Sequence, residues 1–118
     1  MNTNKLYPVV INTCTGGFSL SLKALEWLNN NGHRNKHLQE ILHSEYKSWF
    51  SEGVDLNIPR HHPMLVQCVQ SLGKEASGTL SNLEVVYISS NLYSIISDHG
   101  EEEIITPDRF KWNNCNDF

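Results

Sequence analysis

The chain has no CxxC pair, no apolar run approaching the roughly 18–20 residues that span a bilayer, and few cationic side chains. Each absence excludes something. Its three cysteines, Cys14, Cys68 and Cys115, are far apart and odd in number. Neither a zinc knuckle nor a thioredoxin-type redox pair is written here, and reduced thiols in a cytosolic compartment are expected. Nine Lys and Arg stand against thirteen Asp and Glu, a net charge of -4 at pH 7 with histidine neutral. A general nucleic-acid binder would show a basic face, so none is expected. The opening MNTNKLYP has no charged region followed by an apolar core, so no secretory signal is expected. The expectation is a soluble, cytoplasmic protein with no membrane partner.

No GxxxxGK, GxGxxG or HExxH occurs either. Metal and cofactor are therefore both expected to be none. His33 and His37 have i,i+4 spacing but fall in a polar, asparagine-rich linker where exposure is expected.

What is present suits one folded domain over residues 1–118, with 1–6 and 113–118 frayed. Val9-Val10-Ile11 is a β-branched run that reads as a buried, central strand after Tyr7. Ser21 is a natural N-cap for a helix carrying Leu22, Leu25 and Leu28, and Gly32 suits the left-handed residue that ends it. Leu38, Ile41, Leu42, Tyr46 and Trp49 predict a second helix within 36–50, about three turns long. Val54–Asn57 reads as a short strand. Pro63 opens a third helix that is expected to run to Gly78. Leu83–Ile88 is a strand, and Tyr93–Ser97 with Glu103–Thr106 predicts a hairpin across Asp98–Glu101. The expected class is α+β, with about three helices packed on a small mixed sheet.

Two segments could carry chemistry. In Asn12-Thr13-Cys14-Thr15-Gly16-Gly17-Phe18-Ser19, short polar side chains and two glycines leave a strand and approach a capped helix. Backbone N–H groups of such a turn can converge on an anion, with Ser19 and Ser21 adding hydroxyls. The plainer reading is a tight strand-to-helix turn. Cys14 is a candidate nucleophile, or simply a small buried hydrophobe. The second segment is Arg60-His61-His62 between Pro59 and Pro63. Arg60 could fork onto a phosphate or carboxylate, and His61 could donate or exchange a proton. His62 could instead only cap the helix. Arg109 reads as a further anion contact or as a salt bridge to neighbouring acids. Glu101-Glu102-Glu103 reads as a solvated turn and strand edge.

YPVVINTCTGGFSLS, IPRHHPMLVQCVQSLGKEASG and the hairpin YSIISDHGEEEIIT together resemble a small family found mainly in phage and bacterial genomes. Its members read roughly YPVVINxCYGGFxLS…IPRHDPxLVxVVEELGxxAxG and close on a strand–YDG–strand hairpin. The resemblance covers most of the chain except 36–50, which looks like an insertion, and it implies no particular reaction. It highlights Asn12, Cys14, Gly16, Gly17, Phe18, Ser21, Arg60, His61, Pro63 and Gly100. Thr15 stands where the family has tyrosine, and His62 where it has an acid. That second departure counts against acid-dependent hydrolysis.

These readings lead to an expected phage-encoded small-molecule binder, acting in the host cytoplasm and able to sequester a host immune signal. Its ligand would be anionic or nucleotide-derived, held by Asn12, Thr13, Cys14, Gly16, Gly17, Phe18, Ser19, Ser21, Arg60, His61 and His62. Phe18 or Tyr93 would stack on a base, and a homo-oligomer is compatible with the sequence. Two other classes stay open: a hydrolase using His61, His62 or Cys14, and a pocketless inhibitor of a host protein anchored by Trp27, Trp49 or Trp112.

Overall fold

A computed structural model describes residues 5–109 and 113–117. Its organising strand is β1, Tyr7–Asn12, which pairs antiparallel with β2, Leu83–Ile88. Tyr7 lies opposite Ile88 and Asn12 opposite Leu83. Val9, Val10, Ile11 and Asn12 are all buried, so β1 is covered on both faces as a central strand would be.

The expected α+β class holds. Among the described residues the strands nevertheless form two antiparallel ladders where one mixed sheet was expected. The second joins β3, Ser94–Asp98, to β4, Glu101–Ile105. The reason lies on the outer edge of β1. Pro8 has no N–H there, Val10 N–H is taken by the Arg60 carbonyl at 2.9 Å, and Asn12 N–H by the Glu102 carboxylate at 2.8 Å. No third strand can add to an edge so occupied. His99 and Gly100 join β3 to β4 with φ of 53° and 91°, the left-handed pair that a two-residue hairpin turn requires.

Helix α1 spans Leu22–Asn30 and begins as its sequence predicts, with the Ser21 hydroxyl accepting the Ala24 N–H. It ends at Gly32, whose φ is 88°; the His33 N–H returns to the Leu28 carbonyl and Gly32 N–H to that of Asn29. That pair of bonds is the Schellman closure of a helix. Helix α2 is only Lys36–Leu42, shorter than expected, followed by a separate 3₁₀ turn at Lys47–Phe50. The Ser44 hydroxyl accepts the Tyr46 N–H, a local bond that competes with continued helix. Tyr46 and Trp49 consequently point to solvent. Val54 makes only an isolated bridge with Leu20 in place of the expected strand.

Helix α3, Pro63–Leu72, starts at the predicted proline but stops at Gly73, with a 3₁₀ turn carrying the chain to Ala76. Leu25 and Leu28 of α1, Leu38 and Ile41 of α2, and Leu65 and Val69 of α3 close one core with Val10 and Leu83. No helix is long and apolar enough to cross a membrane among the described residues.

His33 departs from the exposed position expected for it. The Schellman closure folds it back, so that its ring meets His62 edge-on at 5.2 Å and its Nε2 is enclosed with no partner among the described residues. Burial, with the neighbouring His62 second, lowers its pKa from 6.5. A histidine kept neutral by folding takes up its proton on unfolding, so stability holds above about pH 6.5 and falls as pH drops below it. Urea midpoints measured from pH 8 to 5 should decline on the acid side, and His33→Phe should flatten that decline. Leu25→Ala, wholly inside the core, should cost about 2–5 kcal/mol in the same assay.

Candidate functional site

Asn12 joins the strand, the glycine turn and the hairpin. It is fully buried. Its Nδ2 donates to the carbonyls of Cys14 and Gly100, each at 2.7 Å, and its Oδ1 accepts the Asn82 N–H at 2.8 Å. Every strong hydrogen-bonding site of the amide group is therefore occupied by backbone, as burial demands.

The hairpin turn is seated directly on Gly16-Gly17. Gly16 N–H donates to the His99 carbonyl at 3.1 Å. A Cβ on Gly100 would lie 2.2 Å from the Gly17 nitrogen, and one on Gly16 2.6 Å from the Leu80 carbonyl oxygen. The glycines thus permit backbone to approach backbone. The Gly16 N–H, expected to face an anion, meets the protein's own carbonyl.

Neighbouring candidates also have internal partners. The Thr13 hydroxyl bonds the Asn82 carbonyl, and the Cys14 thiol donates to the Leu80 carbonyl at 3.1 Å. Among the described residues no histidine bonds Cys14. Ser81 donates to the Gly17 carbonyl at 2.5 Å, which leaves Ser19 as the donor in the 2.9 Å Ser19–Ser81 bond. Ser21 caps α1 and donates to the Glu75 carbonyl.

The glycine turn and the arginine loop do meet. The Arg60 guanidinium lies 3.7 Å over the Phe18 ring. Its fork, however, is filled: Nη1 and Nη2 reach the two carboxylate oxygens of Glu102 at 2.5 and 2.8 Å. One of those oxygens also accepts the Asn12 N–H. The Glu102 side chain is 8% exposed and that of Arg60 17%, so the middle glutamate of 101–103 is enclosed, unlike the solvated edge expected. Arg109 takes the salt-bridge alternative, on Glu103 at 2.9 Å.

His62 caps α3 by accepting the Met64 N–H at Nδ1. His61 instead turns toward the hairpin root, where its Nδ1 and the Tyr93 hydroxyl lie 2.6 Å apart. Burial raises the Tyr93 pKa, while the Arg60 charge and the His61 backbone pull the other way. The phenol keeps its proton.

Beside this pair is a cavity of about 260 Å³ walled by Tyr7, Pro8, Val9, His61 and Tyr93 and bordered by Ser90 and Asn91. Of the residues expected to hold the ligand, His61 and the stacking candidate Tyr93 reach it, whereas Phe18 and the glycine-turn residues are not in its lining. A second recess, about 290 Å³, is lined by Asp98, Glu101, Glu102 and Glu103, and its charge disfavours anions. Tyr7 and Pro8 escaped sequence reasoning because they look like ordinary strand residues. A proline inside a strand run was the available signal that one strand edge is unpaired.

Among the described residues no group of three or more His, Cys, Asp or Glu side chains gathers as a metal site. Comparison with protein-family models, curated proteins and solved structures returns no match to this chain.

Glu102→Ala would strand a mostly buried guanidinium. A loss of about 3–5 kcal/mol is expected in urea unfolding. Glu103→Ala, breaking the exposed pair with Arg109, should cost less than about 1 kcal/mol.

Proposed function

We propose that the chain is a small-molecule-binding protein for an anionic or nucleotide-like ligand, with its pocket at the His61–Tyr93 cavity. The observation carrying this reading is the hydrogen-bonded His61–Tyr93 pair on the wall of a 260 Å³ recess that also presents the Tyr7 ring. Aromatic walls with a few fixed polar groups suit a planar ligand. The recess lies just below the roughly 300–1,000 Å³ of pockets for drug-sized molecules, so it holds one ring system and leaves the rest of a ligand outside. Gly16, Gly17, Arg60 and Glu102 serve this pocket by holding the loop and hairpin that frame it.

One observation favours a second reading, a host-protein inhibitor. Trp49 is 75% exposed and stacked on Tyr46 at 4.5 Å, a surface anchor of the kind found at interfaces. Trp27, by contrast, packs against the core, and Trp112 lies outside the described residues.

The deciding experiment incubates purified protein with a mixture of nucleotides and nucleotide-derived molecules, removes the unbound fraction, and identifies by mass spectrometry what denaturation releases. One intact species at near-stoichiometric yield is expected, and Tyr93→Ala should lose it while Trp49→Ala retains it. Release of a converted product would replace binding with hydrolysis. No retained species would remove the pocket reading and leave the Trp49 surface.

A further inference from the structure

We propose that this cavity grips the edge of a planar nitrogen heterocycle, a nucleobase or base-like ring, and leaves any phosphate outside. The inference rests on the cavity being the ligand pocket. In a strand, the N–H and C=O of one residue point to the same side, and successive residues alternate. Val10 and Asn12 direct their N–H groups away from β2, onto Arg60 and Glu102. Pro8 has the same parity, so its carbonyl faces the same outer edge, where Pro8 also lines the cavity. No donor among the described residues meets that carbonyl. Among the described residues it is an unspent acceptor.

The loop supplies the matching donor. The Arg60 carbonyl is fixed to Val10, which brings the next residue, His61, alongside Pro8. His61 Nδ1 and the Tyr93 hydroxyl are 2.6 Å apart, and we assign Tyr93 as the donor, the tautomer that carries the ring proton on Nε2. No partner among the described residues bonds that Nε2. The wall therefore offers a carbonyl acceptor and an imidazole N–H within one ring-sized recess. Their complement is an N–H donor beside an acceptor, the arrangement on the hydrogen-bonding edge of a nucleobase. Tyr7 and Tyr93 add aromatic surface for its flat faces.

Charge points the same way. Arg60 is already neutralised by Glu102, so no free guanidinium stands at this recess. The cation at its margin is Lys5, exposed, with Nζ 5.1 Å from the centre of the Tyr7 ring. A phosphate carried by the ligand would sit in solvent near that lysine and contribute a weak, salt-screened attraction. An added peptide strand is disfavoured as occupant, because Pro8 cannot donate and the next two outward N–H groups are taken.

Calorimetric titration with adenosine, cytidine, guanosine and uridine, each alone and as its 5′-monophosphate, and with ribose 5-phosphate, tests the edge directly. At least one nucleoside should bind within about tenfold of its monophosphate, with the gap closing as salt rises, and ribose 5-phosphate should not bind. His61→Phe should weaken that nucleoside by about tenfold, the worth of one neutral hydrogen bond, and His61→Gln should recover part of it. Unchanged urea midpoints would show that both variants fold. Binding of ribose 5-phosphate as tight as that of the monophosphates would overturn edge recognition while leaving an anion-binding pocket standing. Binding of none of these probes, with a ringless species retained in the mass-spectrometric screen, would also overturn it alone. If neither assay finds a ligand, both readings fail together.

Discussion

The structure depends on one carboxylate. Glu102 accepts two bonds from Arg60 and one from the Asn12 main chain, and so joins the hairpin, the proline-framed loop and the first strand at a single point. Buried ion pairs add little net stability over well-packed apolar residues, since desolvation offsets their attraction. Their effect is positional. An unpaired Arg60 or Glu102 in that enclosure is so unfavourable that the loop and hairpin have few other ways to sit. Asn12 extends the constraint to the glycine turn through the Gly100 carbonyl.

This arrangement reassigns the groups that looked most chemical. A guanidinium, a glycine turn and short hydroxyl side chains are the parts of an anion site, but here the guanidinium holds the protein's own Glu102 while the Gly16 N–H and the Thr13 and Ser21 hydroxyls bond backbone carbonyls. What they build is a rigid frame. The adjacent recess is where aromatic surface and unspent hydrogen-bonding groups remain, at the His61–Tyr93 pair and the Pro8 carbonyl. The proposed site is thus displaced by one residue from Arg60 to His61, and by four from Asn12 to Pro8.

Local signals are legible in the sequence. The β-branched run of β1, the Ser21 and Pro63 helix starts and the Gly32 stop all follow from chemistry within a few residues. Legibility failed where partners are distant. Asn12 and Glu102 are 90 residues apart, and nothing near either one names the other. A partial clue existed: in the hairpin register Glu102 faces Ser97 and shares its side of the ladder with Ile95 and Ile104. An acid on that apolar face needs a buried cation. α2 is shorter than its periodicity implies for a different reason, because Tyr46 and Trp49 continue the helical spacing after the backbone has left the helix. Periodicity cannot report a break made by one serine hydroxyl.

The pairing of Tyr7 with Ile88 has a consequence in time. β1 has no partner strand until all three helices have been made, and the carboxylate that closes its far edge arrives later still. Loop closure over such a separation is slow compared with helix formation. At a synthesis rate of roughly 5–20 residues per second, β1 spends seconds as an unpaired apolar strand. For that interval Pro8 is its one built-in defence, a missing N–H in the middle of a segment that another chain could otherwise extend. The same proline thus guards the nascent strand and, once the fold has closed, leaves a carbonyl facing the recess.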